Sequence, residues 1–170
     1  MKFLILTDIH GSIKYLNIAI QKFNQLGCGK ILLLGDILYH GPRNDLPTEY
    51  KPKEVIALLN SYKDKIICVK GNCDAEVDEM VLEFPLHPVV ALECNGFKLE
   101  MVHGHNIDET TGDGYIIHGH THVNKIDGNI INIGSLSIPK DNHHTYAILE
   151  GNELTAFDLM TDEVIMKCNL

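Results

Sequence analysis

Phe3-Leu4-Ile5-Leu6-Thr7-Asp8-Ile9-His10 is a run of four apolar residues that stops at a carboxylate and an imidazole. A short unbroken apolar run is the pattern of a strand covered on both faces, as in a parallel sheet packed between other layers. It reads as a buried strand with Asp8 and His10 just past its carboxyl end. Downstream, Ser12 stands where a helix N-cap would. Leu16, Ala19, Ile20, Phe23 and Leu26 recur at helical spacing, and Gly27 supplies a stop. Strand followed by helix is an α/β opening.

The unit recurs. Ile31 to Leu34 is a second apolar run, Pro52 can start a helix carrying Val55, Ile56, Leu58, Leu59 and Tyr62, and Ile66 to Val69 is a third run. Parallel strands with crossover helices are expected from this half. Later, Asn95-Gly96, Asp127-Gly128 and Gly151-Asn152 are hairpin-type turn pairs between β-rich segments, so mostly antiparallel sheet is expected there. Two long polar connections, 40–53 and 106–114, are placed to border a site.

Composition bounds the function. The 170 residues suit one domain spanning 1–170, and 45% hydrophobic with 22% charged residues is ordinary globular usage. A formal charge of −9 offers no basic stripe for a nucleic-acid backbone, so no long nucleic acid is expected as partner. A small anion remains open to such a chain if bound cations reverse the local field. Five cysteines without a C-x-x-C pair point to reduced thiols and a cytoplasmic location. The four-residue run Phe3 to Leu6 is too short for a signal segment or a membrane span.

The chemistry lies in where the ligand-type residues fall. Asp8 and His10 follow the first apolar run, Gly35-Asp36 the second and Gly71-Asn72 the third. His103 follows Leu99 to Val102, and His118-Gly119-His120-Thr121-His122 follows Tyr115 to Ile117. Singly these are turn dipeptides and polar turns. Residues just past strand carboxyl ends gather at one edge of an α/β sheet, so all five clusters can share one pocket. Two divalent ions about 3.5–4 Å apart need a bridging carboxylate, several neutral nitrogen or oxygen ligands and open positions for hydroxide and substrate. Asp36 is the natural bridge. Histidine and carboxylate without thiolate suit Mn²⁺, Fe²⁺, Ni²⁺ or Zn²⁺ rather than a structural zinc closed by cysteines.

These elements, D-x-H, G-D, G-N, H and G-H-x-H in order, resemble the calcineurin-like metallophosphoesterases over nearly the whole chain. Gly35-Asp36-Ile37-Leu38-Tyr39-His40-Gly41-Pro42-Arg43-Asn44 and Gly71-Asn72-Cys73-Asp74 look like the versions of the small YfcE-type phosphodiesterases of bacteria and archaea. Gly134-Ser135 and Ser137-Ile138-Pro139-Lys140 are similar to a later segment of that branch. The resemblance implies a four-layer α/β/β/α sandwich of two mixed β-sheets. It also implies that Asp8, His10 and His122 hold one metal, Asn72, His103 and His120 the other, and that Asp36 bridges. The implied reaction is hydrolysis of a small phosphodiester, in-line, by hydroxide held between two divalent ions, Mn²⁺ foremost. A phosphomonoesterase and a non-catalytic binding scaffold, as in the eukaryotic retromer relative, are the alternatives. Nothing suggests a membrane partner, and a homodimer is a permitted assembly.

Two departures from the family pattern stand out. Many members carry histidine after the G-N asparagine, where this chain has Cys73. Its thiol is either a weak donor to the leaving group or a small cleft-lining residue. The stretch 106–114 is too polar for the helix usual there, which is expected to be missing. His40 and Arg43 are candidates for substrate contact, Arg43 alternatively as a brace of its own loop. His105 and His118 are candidates for orienting ligands, and Asp74 for steadying the loop behind Asn72.

Overall fold

Each of the apolar runs is a strand in the computed structural model, which describes residues 1–94 and 96–170. The first half alternates β1 (Lys2–Leu6), α1 (Ile13–Gln25), β2 (Lys30–Leu33), α2 (Pro52–Asn60), β3 (Ile66–Val69), α3 (Glu76–Val81) and β4 (Leu86–His87). Then come β5 (Val90–Cys94), β6 (Phe97–Met101), β7 (Tyr115–His118), β8 (Asn124–Asp127) and β9 (Ile130–Ile133). The chain closes with β10 (Thr145–Glu150), β11 (Glu153–Asp158) and β12 (Val164–Asn169). Among the described residues no helix is long and apolar enough to cross a membrane.

Two mixed sheets result. The first runs β12-β11-β10-β1-β2-β3-β4 and the second β5-β6-β7-β9-β8. Strand β1 is the seam of the first sheet, with Leu4 opposite Ile31 of parallel β2 and opposite Ile148 of antiparallel β10. The expected hairpins close β8 onto β9 and β10 onto β11. Asn95 of the third turn pair lies outside the described residues. The later half is mostly antiparallel, as expected, with β6–β7 and β7–β9 paired in parallel. Turn dipeptides report neighbours joined by tight turns, whereas these pairs are made by longer connections.

Strand alternation divides the core in two. Leu4, Leu6, Ile31 and Leu33 point to the helices, meeting Leu16, Phe23, Val55 and Leu59. Ile5, Leu32, Leu34 and Val69 point the other way and meet Leu99, Met101, Ile117 and Ile131 of the second sheet. Each fully buried Leu or Ile contributes about 1.5–3 kcal/mol. Helix α1 ends in a Schellman motif: Gly27 at φ +64° lets Cys28 N–H reach the Phe23 carbonyl at 3.1 Å and Gly27 N–H that of Asn24 at 3.3 Å. Ser12 holds the N-cap position without capping, since its hydroxyl donates to the Thr48 carbonyl at 2.6 Å.

The α/β/β/α order is present with its last layer reduced. Across 106–114 the only helical structure is a 3-10 turn, Ile107–Glu109. With Leu99 and Met101 facing inward, Glu100 of β6 points to the outer face, yet it is 1% exposed. Its carboxylate accepts from Thr111 N–H at 2.9 Å, the Thr111 hydroxyl at 2.7 Å and Gly112 N–H at 3.3 Å, with the Lys98 ammonium at 3.1 Å. A buried carboxylate thus pins the loop 106–114 to the outer face of β6.

Candidate metal centre

All five ligand clusters reach one edge, where the carboxyl ends of β1, β2, β3, β6 and β7 meet. The loops stack so closely that their glycines are steric requirements. A Cβ on Gly71 would overlap the Asp36 carboxylate, and one on Gly119 would overlap Thr7 Oγ1 and Asp8 Oδ2. Asp8, His10, Asp36, His120 and His122 all have left-handed backbone, with φ of 54°, 46°, 57°, 71° and 62°. L-residues pay steric energy for that conformation, and such outliers cluster at functional sites.

Three imidazoles are oriented alike. Nδ1–H donates at 2.6 Å to the Tyr39 carbonyl from His10, to the Leu34 carbonyl from His103 and to the Ile138 carbonyl from His122. A carbonyl can only accept, so each Nδ1 carries a proton and each ring turns its Nε2 to the centre, where a metal would take the place of a second proton. His122 Nε2 lies 3.1 Å and His10 Nε2 3.4 Å from Asp8 Oδ1. His103 Nε2 is 3.2 Å and His10 Nε2 3.7 Å from Asp36 Oδ2. All five residues are buried.

The second oxygens are engaged elsewhere. Asp8 Oδ2 accepts from the Thr7 hydroxyl at 2.7 Å and His120 N–H at 3.0 Å, and Asp36 Oδ1 accepts from Cys73 N–H at 2.9 Å. Asp8 Oδ1 and His103 Nε2 are buried and have no hydrogen-bond partner. Orphaned buried ligand atoms facing one another are what a cation between them would satisfy. Asp8–His10–His122, Asp8–Asp36–His103 and His10–Asp36–Cys73 each bring ligand atoms within 4.8 Å, so the residues fit divalent metal.

The electrostatics agree. Burial pushes the Asp8 and Asp36 carboxyls up, but the imidazoles beside them outweigh it and hold both below the usual range. Burial lowers His10 and His103, and the facing carboxylates more than reverse this. The centre is therefore a set of buried carboxylates and imidazoles that stabilise one another, a donor set suited to a divalent cation. Half-buried His120 and His118 are instead pushed down, first by burial and with a contribution from His103, which leaves their rings neutral.

The other expected residues fall at graded distances. The His120 ring lies 5.1 Å from that of His103. Asn72 sits exposed on the lip of a cleft of about 370 Å³, its amide donating to Cys73 Sγ at 3.3 Å. Cys73, Arg43, His120 and His122 line the same cleft. Burial, then Asp36 beside it, pushes the Cys73 thiol up to about 12, so it is protonated at neutral pH. A slightly larger cleft, about 430 Å³, lies beside α1 and β10–β11 and contains none of these residues.

His40 is not brought to the cleft. Its ring packs edge-on against Tyr39 and Tyr50, a tertiary arrangement that its sequence neighbours do not announce. Nor does Arg43 brace its loop. Asn44 does so, donating to the His40 carbonyl at 2.8 Å. Asp74 steadies more than the loop behind Asn72. Its buried carboxylate accepts from Asp36, Ile37 and Gly71 N–H at 2.8, 2.8 and 2.7 Å, clamping two ligand loops together. Sequence reasoning passed over Thr7, Ser135 and Ser137. Both serine hydroxyls lie on the Asp8 carbonyl, at 3.3 and 3.1 Å. Their only signal was membership in the quoted motif segments.

The chain belongs to the calcineurin-like phosphoesterase superfamily, whose domain model matches residues 1–153. Divalent metal ions are what this family of metallophosphoesterases implies for the centre just described. More particularly, the chain is 37% identical to phosphodiesterase YfcE of Escherichia coli K12 over 176 aligned positions, covering 97% of this chain and 96% of that protein. A solved structure of YfcE, a phosphoesterase from E. coli, superposes with a TM-score of 0.93 at 36% identity over 99% of each chain. An archaeal phosphodiesterase (TM-score 0.66, 21% identity, all of both chains) shares the fold. So does zinc-complexed Vps29 of Entamoeba histolytica (0.62, 17%, 99% of each).

Proposed function

We propose that residues 1–170 act as one domain, a dinuclear-metal phosphodiesterase that hydrolyses small phosphodiesters by in-line displacement with hydroxide. Asp8, His10 and His122 would hold one divalent cation, Asn72, His103 and His120 the other, and Asp36 would be shared. The observation that carries this reading is the convergence of three Nε2 atoms on Asp8 Oδ1 and Asp36 Oδ2, with every Nδ1 committed to a backbone carbonyl. When bound, two such ions supply an acidified water and the positive charge that offsets phosphate oxygens. The backbone donors on Asp8 Oδ2 and Asp36 Oδ1 keep the opposite oxygens aimed inward. Cys73, protonated on the cleft wall, can donate from Sγ to the leaving oxygen, and substrates with good leaving groups need that least.

Manganese is the first ion to try, with iron, nickel and zinc next. The likeness to a named phosphodiesterase over nearly the full length of both chains supports a diester over a monoester. A cytoplasmic setting and a homodimer belong to the same reading. The test is metal analysis coupled to a hydrolysis screen of phosphodiesters, cyclic nucleotides and monoesters with each ion. Failure of the metal-loaded protein to cleave any activated diester at neutral to alkaline pH would leave the scaffold reading standing.

A further inference from the structure

The protein carries −9 formal charge and fourteen Lys and Arg side chains. Eleven are committed. Lys2, Lys22, Lys51, Lys63, Lys70, Lys98, Lys125 and Lys167 face carboxylates. Lys30 binds the Asp64 carbonyl, and Lys14 and Lys65 lie over aromatic rings. Among the described residues, Arg43, Lys53 and Lys140 are the three without a partner, and Arg43 and Lys140 both line the cleft beside Asp36, Cys73 and His122.

Each is placed by the site itself. Lys140 N–H donates to the His122 carbonyl at 2.9 Å, two residues after Ile138 accepts the His122 ring, so its backbone is fastened to a candidate ligand. Arg43 leaves a loop fixed by Gly41 at φ +84° and by Asn44 on the His40 carbonyl. Nearby acids do not neutralise them. Asp141, next to Lys140, spends Oδ2 on the Asn124 backbone and amide and Oδ1 on His143 N–H, and Asp45 forms no ion pair with Arg43. Two unpaired cations facing a cleft in an acidic protein create a local positive field that recruits an anion.

The reacting phosphate would be neutralised by the candidate centre, so these cations are available to a different group. We infer that the cleft selects phosphodiesters in which one esterified alcohol carries a further anionic group, a carboxylate or a terminal phosphate, gripped by Arg43 and Lys140. The inference rests on the phosphodiesterase reading and narrows its substrate class.

Three esters sharing one leaving group test it: ethyl, 2-carboxyethyl and 2-phosphonoethyl p-nitrophenyl phosphate. The readout is the ratio of kcat/KM for each charged ester to that for the ethyl ester, which cancels changes common to both. Wild-type protein should prefer a charged ester, the better of the two identifying the anion. Lys140→Gln or Arg43→Gln should each cut the ratio by about threefold to fivefold, the scale of one exposed ion pair. Added salt should erode it through screening. Lys53→Gln, on α2 and outside the cleft, serves as the charge-matched control. A wild-type ratio of one or less, or a ratio that Lys140→Gln leaves intact, would overturn the inference.

If no ester is turned over, it is the phosphodiesterase reading that fails. Calorimetric titration with ethyl and 2-carboxyethyl methylphosphonate then decides the cleft's preference without hydrolysis. Tighter binding of the carboxylate in wild type but not in Lys140→Gln would sustain it, and equal binding would end it.

Discussion

Glu100→Gln changes one buried carboxylate to an amide of the same shape and leaves the metal centre untouched. The carboxylate receives two backbone N–H groups, a hydroxyl and an ammonium. An amide serves this set best by keeping its oxygen toward Thr111 and Gly112 N–H and turning its NH₂ to the Thr111 hydroxyl, which ends the Lys98 ion pair and leaves its ammonium on that hydroxyl alone. Losing charge assistance costs about 0.5–1 kcal/mol for each of the two N–H bonds. The half-exposed ammonium adds about 0.5 kcal/mol. The sum, about 2 kcal/mol, lowers Tm by about 4–8 °C in a chain of this size.

The pH dependence is the sharper test of Glu100. Burial pushes its carboxyl up, but Thr111 and Lys98 outweigh that and hold it below its ordinary 4.5. A folded-state pKa below the unfolded one stabilises fully above the unfolded value and loses that stabilisation as pH falls through the folded one. The gap between wild type and variant in urea denaturation should therefore be complete at pH 7 and close in acid. Exchange of the Thr111 and Gly112 amide hydrogens should quicken in the variant. No gap at neutral pH, or one indifferent to pH, would refute the idea that this carboxylate holds down the loop.

Three further outcomes follow from the centre. Asp36→Ala should cost more activity than any single histidine replacement, beyond the 10–100-fold typical of a residue that only supports a ligand; elemental analysis should find metal content reduced, and full occupancy with full turnover would exclude the shared role. Cys73→Ala should slow esters of poor leaving groups by about 10–100-fold, the low end of general-acid assistance, while sparing p-nitrophenyl esters; equal effects on both, read from a leaving-group series, would remove the donor role. Gly119→Ala drives a Cβ into Thr7 and buried Asp8, so it should destabilise by about 1–3 kcal/mol in thermal denaturation and weaken metal binding as well.

The parts of this fold that were legible from residues are those decided locally. Ile31 to Leu34 can only be a covered strand, and Gly27 can only be a left-handed stop, because one run length and one missing Cβ suffice. The convergence of the five clusters was legible for a related reason, since a carboxylate or imidazole directly after a buried strand has no room to be anywhere but the sheet edge. That 106–114 forms no more than a 3-10 turn showed in its lack of apolar spacing. What did not show depends on distant partners. Ser12 gives its hydroxyl to Thr48 rather than to its own helix, His40 lodges against two tyrosines, and β7 pairs with β6 and β9 across long connections. Helix α3, six residues of which three are acidic, is too short for a periodicity to read. Lys140 gains meaning only once the partners of the other lysines are known and the cleft around it is formed.

The left-handed backbone at Asp8, His10, Asp36, His120 and His122 has a bearing on engineering. At each position glycine would relax the backbone, while the native side chain keeps it under strain of about 1–2 kcal/mol. A library selected only for heat tolerance would thus be drawn toward glycine at the very residues proposed to hold the metals. It would yield robust proteins with the chemistry bred out, and a useful selection must reward turnover together with survival.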